Sequence, residues 1–343
     1  MKHLHNRVNG KELKEKMRQD SITRVTLSFY QYAHIGNPDL FRDHFYTLLA
    51  PIGVLGRIYV ASEGVNAQIS VPEANFEVFK DKLKEVTFLE NIRLNIAIED
   101  DGKSFFKLKI ITKNKIVADG LEDDTFDVTD KGIHLDAENF NKLTDREDTI
   151  VVDMRNHYES EVGHFEKAIT PDVDTFREAL STVEAQLKDK KDRPLVMYCT
   201  GGIRCEKASA YYKHKGFKQV YQLEGGIIEY ARQVREKGLT NKFKGKNFVF
   251  DERLGERISD EIISRCHQCG KPCDTHTNCR NEGCHLLFIQ CDECAEKYQS
   301  CCSNECKEII NLPEVKKKAL RKGVKKGQQI YRKGRSEKLL YKK

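Results

Sequence analysis

Leu195-Val196-Met197-Tyr198-Cys199-Thr200-Gly201-Gly202-Ile203-Arg204 runs from an unbroken apolar tetrad into a cysteine, two glycines and an arginine. Four consecutive apolar residues predict a strand buried on both faces of a parallel sheet. A helix is predicted from about Arg204 until Gly216 stops it. Thr149-Ile150-Val151-Val152-Asp153 repeats the apolar run, and residues 220–223 supply a third strand. Gly225-Gly226 then turns into a helix over 227–237. Together these segments predict a small doubly wound α/β domain over residues 146–240. In such sheets ligands bind where strand C-termini meet helix N-termini, and Cys199 stands at such a place.

A cysteine is a nucleophile only as its thiolate, which needs positive local potential. Gly201 and Gly202 let the backbone curl so that successive N–H groups point inward as an anion nest. The following helix adds its positive end, and Arg204 adds a guanidinium able to fork onto oxyanions. The alternative is a small apolar residue ending a buried strand. Cys205 is open between a resolving thiol and an inert packed one. The pattern Cys-x-x-Gly-x-Arg after a strand resembles the active loop of rhodanese-type sulfurtransferases. In the related cysteine phosphatases the loop is one residue longer. Val152-Asp153-Met154-Arg155, Glu159, Gly163-His164-Phe165 and Leu223-Glu224-Gly225-Gly226 with Tyr230 fit the same family. The resemblance implies a persulfide-carrying Cys199, cradled by the N–H groups of Thr200, Gly201, Gly202, Ile203 and Arg204. Asp153 and Arg155 are expected to brace the loop, and His157 and His164 to be structural.

Upstream, Val25-Thr26-Leu27-Ser28-Phe29-Tyr30 alternates with period two, as a half-buried strand does. Pro38 opens a helix that Gly53 ends, and strands follow over 54–60 and 65–71 around a Glu63-Gly64 turn. A second helix starts at Pro72, and strand signals return over 92–98 and 105–111. The order βαββαβ predicts a ferredoxin-like α+β domain within residues 1–125, preceded by a short polar helix. The polar, acidic residues 126–145 are expected to be a linker with a short helix.

Ten of the twelve cysteines lie between Cys266 and Cys306. No apolar run in the 343 residues could span a bilayer, and the N-terminus lacks a secretory apolar stretch. A cytoplasmic protein is therefore expected, whose cysteines are metal ligands or catalytic thiols rather than disulfides. Cys266-x-x-Cys269 and Cys291-x-x-Cys294 form paired knuckles, the pattern of one tetrahedral zinc site. Cys273, Cys279, Cys284, Cys301, Cys302 and Cys306, with His276 and His285, contain a second site whose ligands spacing does not choose. An iron–sulfur cluster is an alternative. These residues are expected to form a metal-binding module over 241–311. Residues 312–343 are expected to be a disordered basic tail: from 315 onward, thirteen Lys or Arg face the single acid Glu337.

Ser62-Glu63-Gly64-Val65-Asn66-Ala67-Gln68-Ile69, Asp153-Met154-Arg155-Asn156-His157-Tyr158-Glu159, Met197–Ala208, Lys246-Asn247-Phe248-Val249-Phe250-Asp251-Glu252-Arg253 and Cys266-His267-Gln268-Cys269 occur in that order. In this order they closely resemble the oxygen-dependent tRNA uridine-34 hydroxylases over about residues 3–310. The resemblance implies O2-dependent 5-hydroxylation of wobble uridine, with tRNA as partner at its anticodon region and molecular oxygen as co-substrate. No flavin or nicotinamide fingerprint is present. With tRNA implied, Lys316, Lys317, Lys318, Arg321, Lys322, Lys325 and Lys326 are expected to contact phosphates. Two other classes stay open: a sulfurtransferase, which the thiol loop alone suggests, and a zinc-stabilised RNA-binding protein that is not an enzyme.

Overall fold

The computed structural model describes residues 12, 13, 15, 19–100, 102–121, 126, 127, 129–322 and 334–340. The N-terminal unit is built from β1 (Arg24–Tyr32), α1 (Pro38–Leu49), β2 (Leu55–Ala61), β3 (Gly64–Pro72), α2 (Phe76–Lys84), β4 (Asn95–Ile96) and β5 (Leu108–Thr112). Its sheet order, β4-β1-β3-β2-β5, is ferredoxin-like with an added edge strand. β5 runs parallel to β2, and the other pairs are antiparallel. Alternation divides the sheet cleanly. Leu27, Phe29, Ile58, Val60, Ala67 and Ile69 pack against Phe45, Leu49, Phe79 and Leu83 of the helices. The opposite face carries polar side chains, including Thr26, Ser28, Tyr30, Arg57, Tyr59, Asn66 and Gln68.

The central unit comprises β6 (Ile133–Leu135), α3 (Ala137–Asp145), β7 (Ile150–Asp153), α4 (His157–Ser160), β8 (Gly163–Phe165), α5 (Phe176–Leu187), β9 (Leu195–Tyr198), α6 (Ile203–His214), β10 (Val220–Leu223) and α7 (Gly226–Lys237). Strands β6-β10-β9-β7 form one parallel sheet. Both faces are buried, and the continuous apolar runs serve both. Ile150, Val152, Leu195 and Met197 face Leu180, Val183 and Tyr212 on one side. Val151, Val196 and Tyr198 face Phe140, Ile227 and Tyr230 on the other.

The expected linker over 126–145 is corrected here, because β6 and α3 belong to this unit. β6 is a three-residue edge strand, and α3 buries Ala137 and Phe140 beneath the sheet. The acidic Glu122-Asp123-Asp124 lies outside the described residues.

The C-terminal part holds β11 (Phe243–Asn247), β12 (Glu256–Arg257), β13 (His276–Asn278), β14 (Leu287–Ile289), α8 (Asp292–Tyr298), α9 (Asn304–Ile310) and α10 (Glu314–Arg321). β11 pairs with β8, so this part grows out of the central unit's edge. Within the tail that was expected to be disordered, residues 314–321 are helical and residues 334–340 pack onto the rest of the chain. Arg335 pairs with Asp172 at 2.7 Å and Asp174 at 3.1 Å, and Leu339 is buried against the cysteines. No helix among the described residues is long and apolar enough to cross a membrane.

Candidate functional site: a thiolate under a polar sheet

Cys199 follows β9 and is set between two helix N-termini. Its Sγ accepts the Gly202 N–H at 3.2 Å at the start of α6. Its carbonyl accepts the Ile227 N–H at 3.0 Å, and that of Thr200 the Ile228 N–H at 3.3 Å, both from α7. This closeness explains two glycines. Gly202 has φ +99, and a Cβ there would meet the Tyr30 hydroxyl at 2.8 Å. A Cβ on Gly226, at φ +67, would meet the Cys199 carbonyl at 2.5 Å.

Burial works to raise the Cys199 pKa. A hydrogen bond from Cys205, the Arg204 charge and the N–H groups of Arg204 and Cys205 outweigh it and draw the pKa down to about 6. Cys205 is pushed well up by burial and by the neighbouring Cys199, so it stays a thiol and donates. That contact is what the structure adds to the open reading of Cys205. Alkylation of Cys199 by iodoacetamide should therefore rise with pH to half-maximum near 6, not near the ordinary thiol value of about 8.5. Arg204→Gln should move the midpoint upward; a parental midpoint above 8 would sink the assignment. The same depression links to stability. The ionised thiol stabilises the fold fully above its unfolded pKa, about 8.5, and that contribution is lost as pH falls through about 6.

Arg204 is not the free oxyanion fork that the sequence suggested. Its guanidinium is held bidentately by Glu159 at 2.7 and 2.8 Å, deep in the protein. The charge reaches Cys199 through space, while the fork itself is occupied. Burial alone would raise the Glu159 carboxyl, but Arg204 holds it below the usual range. Breaking this pair leaves a buried guanidinium uncompensated, so Glu159→Gln should cost about 3–5 kcal/mol in urea unfolding. Unchanged stability would show that the pair contributes nothing. Asp153 and Arg155 are also buried together, joined at 2.6 and 2.9 Å, with Arg155 also donating to the Gly163 carbonyl at 2.6 Å. They tie β7 to β8 and do not line the cavity. His157 and His164 hydrogen-bond to the carbonyls of Val173 and Phe165.

Above Cys199 lies a cavity of about 480 Å³, roofed by the polar face of the N-terminal sheet. Cys199, Thr200, Gly201, Ile203 and Arg204 form its floor. Ser28, Tyr30, Arg57, Tyr59, Asn66 and Asn95 come from the sheet, and Phe250 and Arg253 from the chain after β11. The two units are clamped together. Lys207 of α6, 1% exposed, reaches Glu63 and Asp119 at 2.6 Å each. Tyr30 donates to Glu206 at 3.1 Å, and Asn95 to the Gly201 carbonyl at 3.4 Å. Glu206, also bonded to His134 and Lys131, resists the effect of burial and falls to about 2. The sheet-face residues were missed because polar residues alternating in a strand read equally well as a solvent face.

The cysteine-rich part resolves into two tetrads, Cys266-Cys269-Cys291-Cys294 and Cys279-Cys284-Cys302-Cys306, each with its sulfurs within 4.8 Å of one another. Cys273, Cys301, His276 and His285 stand outside both. Sulfurs on a tetrahedron around zinc at ~2.3 Å are separated by ~3.8 Å. Cys269–Cys291 at 3.6 Å, Cys284–Cys302 at 3.6 Å and Cys302–Cys306 at 3.8 Å fit that geometry. Both tetrads could therefore hold a metal ion. Of the tail cations, Lys317 pairs with Glu314 and Arg321 with Glu282, each at 2.8 Å. Lys316, Lys318 and Lys322 have no ion pair among the described residues, and Lys325 and Lys326 lie outside them.

The parallel sheet and the cysteine loop between two helix N-termini define a rhodanese-like domain, and the family model described as "Rhodanese-like domain" matches residues 136–233. "UPF0176 acylphosphatase like domain" matches 24–116, and "Rhodanase C-terminal" matches 244–307. Among curated relatives, a "tRNA uridine(34) hydroxylase" of Photorhabdus laumondii is 57% identical over 97% of this chain and 95% of its own length. Proteins of the same name from Pectobacterium carotovorum, 56% identical over 97% and 94%, and Salmonella heidelberg, 54% over 97% and 95%, match likewise. The chain belongs to the tRNA uridine(34) hydroxylase family.

Proposed function

We propose that this protein is an oxidoreductase that hydroxylates uridine 34 of tRNA at carbon 5, in the cytoplasm, with molecular oxygen as co-substrate. The observation that carries this reading is the low-pKa Cys199 facing a cavity sized for a nucleoside and walled by hydrogen-bonding side chains. The names of its relatives supply the substrate. Cys199 acts as a thiolate in this reading. Addition of Sγ to carbon 6 of the uracil ring moves the C5–C6 electron pair toward carbon 5 and the O4 carbonyl, making carbon 5 the nucleophilic position. Carbon 5 then takes one oxygen atom of O2 and loses its hydrogen as a proton, while a two-electron reductant converts the other oxygen atom to water. The Gly202 and Arg204 N–H groups receive the thiolate again when the bond to carbon 6 breaks. Sulfur transfer, the alternative, is not favoured: relatives over nearly the whole chain are named for hydroxylation.

The two tetrads are assigned structural zinc. Bound zinc would fix loops that bury only a few apolar side chains, such as Leu286, Phe288 and Leu339, beside the cysteines, and none of its ligands lines the cavity. Purified, metal-loaded protein, unmodified anticodon stem-loop, air and a two-electron reductant should give 5-hydroxyuridine by nucleoside mass spectrometry. A 5-fluorouridine stem-loop should form a Cys199-dependent covalent adduct. Absence of product with metal-loaded protein, air and reductant would overturn the reading.

A further inference from the structure

Beside the Cys199 cavity runs a second groove of about 330 Å³, which shares Arg57, Phe105, Phe250 and Asp251 with it. The far wall adds Lys107 and Lys109. Arg57 of β2 and Lys109 of β5 are register partners on adjacent strands. Both are exposed, and neither has a carboxylate partner among the described residues. Like charges on neighbouring strands destabilise a sheet unless an anion separates them. The acids nearby do not supply one. Asp251 receives the Arg253 guanidinium at 2.5 and 2.9 Å, and Glu256 receives it at 2.5 Å. Glu252, the other acid of the groove, is exposed at its rim. Phe250, 47% exposed, presents an aromatic ring where the groove opens into the cavity.

We propose that this groove is the subsite for the nucleotide next to the target uridine, with its phosphodiester between Arg57 and Lys109 and its base stacked on Phe250. The assignment rests on the uridine reading of the Cys199 cavity and deepens it. A continuous RNA strand entering that cavity must leave through a neighbouring opening. This opening combines cations for a phosphate with a ring for a base, the two elements of single-strand recognition. It also explains how an enzyme could take a nucleotide from a loop without the paired aromatics of an RNA-binding sheet.

Binding of an unmodified anticodon stem-loop to the full-length, metal-loaded protein, read by fluorescence anisotropy across a salt series, tests this. Lys109→Gln should weaken binding and lower the slope of log Kd against log salt by about 0.7, one phosphate contact on a single strand. Phe250→Ala should weaken binding about 10-fold with the slope unchanged, because stacking is not ionic. Lys142→Gln, on α3, controls for generic charge. Thermal melts of each variant confirm the fold. Parental Kd and slope in Lys109→Gln, or an equal slope change in Lys142→Gln, would overturn the subsite. If the parent binds and Lys109→Gln lowers the slope but no 5-hydroxyuridine forms, the subsite stands and the hydroxylase reading falls. If the parent makes 5-hydroxyuridine while Lys109→Gln and Phe250→Ala bind as the parent does, only the subsite falls.

Discussion

Cys199→Ser should abolish 5-hydroxyuridine formation, by on the order of 10⁴-fold or more, while leaving the protein folded. Serine is smaller and can still accept the Gly202 N–H that now reaches Sγ at 3.2 Å, so the loop keeps its shape. Its hydroxyl, however, is not ionised near neutrality, whereas Cys199 ionises at about 6. Removing a nucleophile on which the remaining groups depend typically costs several orders of magnitude. The measurement is nucleoside mass spectrometry on tRNA treated with wild-type or variant protein, beside a thermal melt. A variant retaining even a tenth of parental activity would show that the thiol does not carry the reaction.

Metal removal should have the second largest effect. Each tetrad would bind zinc with an apparent free energy on the order of 10 kcal/mol, nearly all of it folding free energy for the loops concerned. Denaturing and native mass spectrometry should therefore show two metal ions per chain. Cys291→Ala should lose one and Cys302→Ala the other, while Cys273→Ala and Cys301→Ala keep both. Retention of two ions by Cys291→Ala would overturn the ligand sets. The loss should also be felt at the active site. His267, between two ligands of the first tetrad, bonds Glu161 at 2.8 Å. Glu161 caps α4, the helix that presents Glu159 to Arg204. Chelation should thus raise the Cys199 alkylation midpoint above about 6, a readout independent of turnover.

Much of this was legible in the sequence because it depends on neighbours along the chain. The apolar tetrad before Cys199, the glycines after it and the helix beyond are local statements, and the structure carries them in that order. The first cysteine tetrad was equally legible, since two knuckles admit one pairing. The second was not. Six further cysteines and two histidines allow many sets of four, and only the fold brings Cys279, which follows β13, together with Cys284, Cys302 and Cys306 of α9. β6 escaped notice because three residues at a sheet edge, largely exposed, give no period to read.

The loop around Cys199 shows the same division. By itself the sequence determined a strand, a cysteine at its end and a helix N-terminus, because backbone sterics and hydrophobic alternation act over a few residues. Tertiary structure alone decided what that cysteine meets. It placed Glu159, 45 residues from Arg204, where it occupies the guanidinium. It also used Lys207, Glu63 and Asp119 to hold the N-terminal sheet over the thiol. Burial is the physical reason: charges that would be solvated and interchangeable on a surface must find one specific partner inside, and only the folded chain says which.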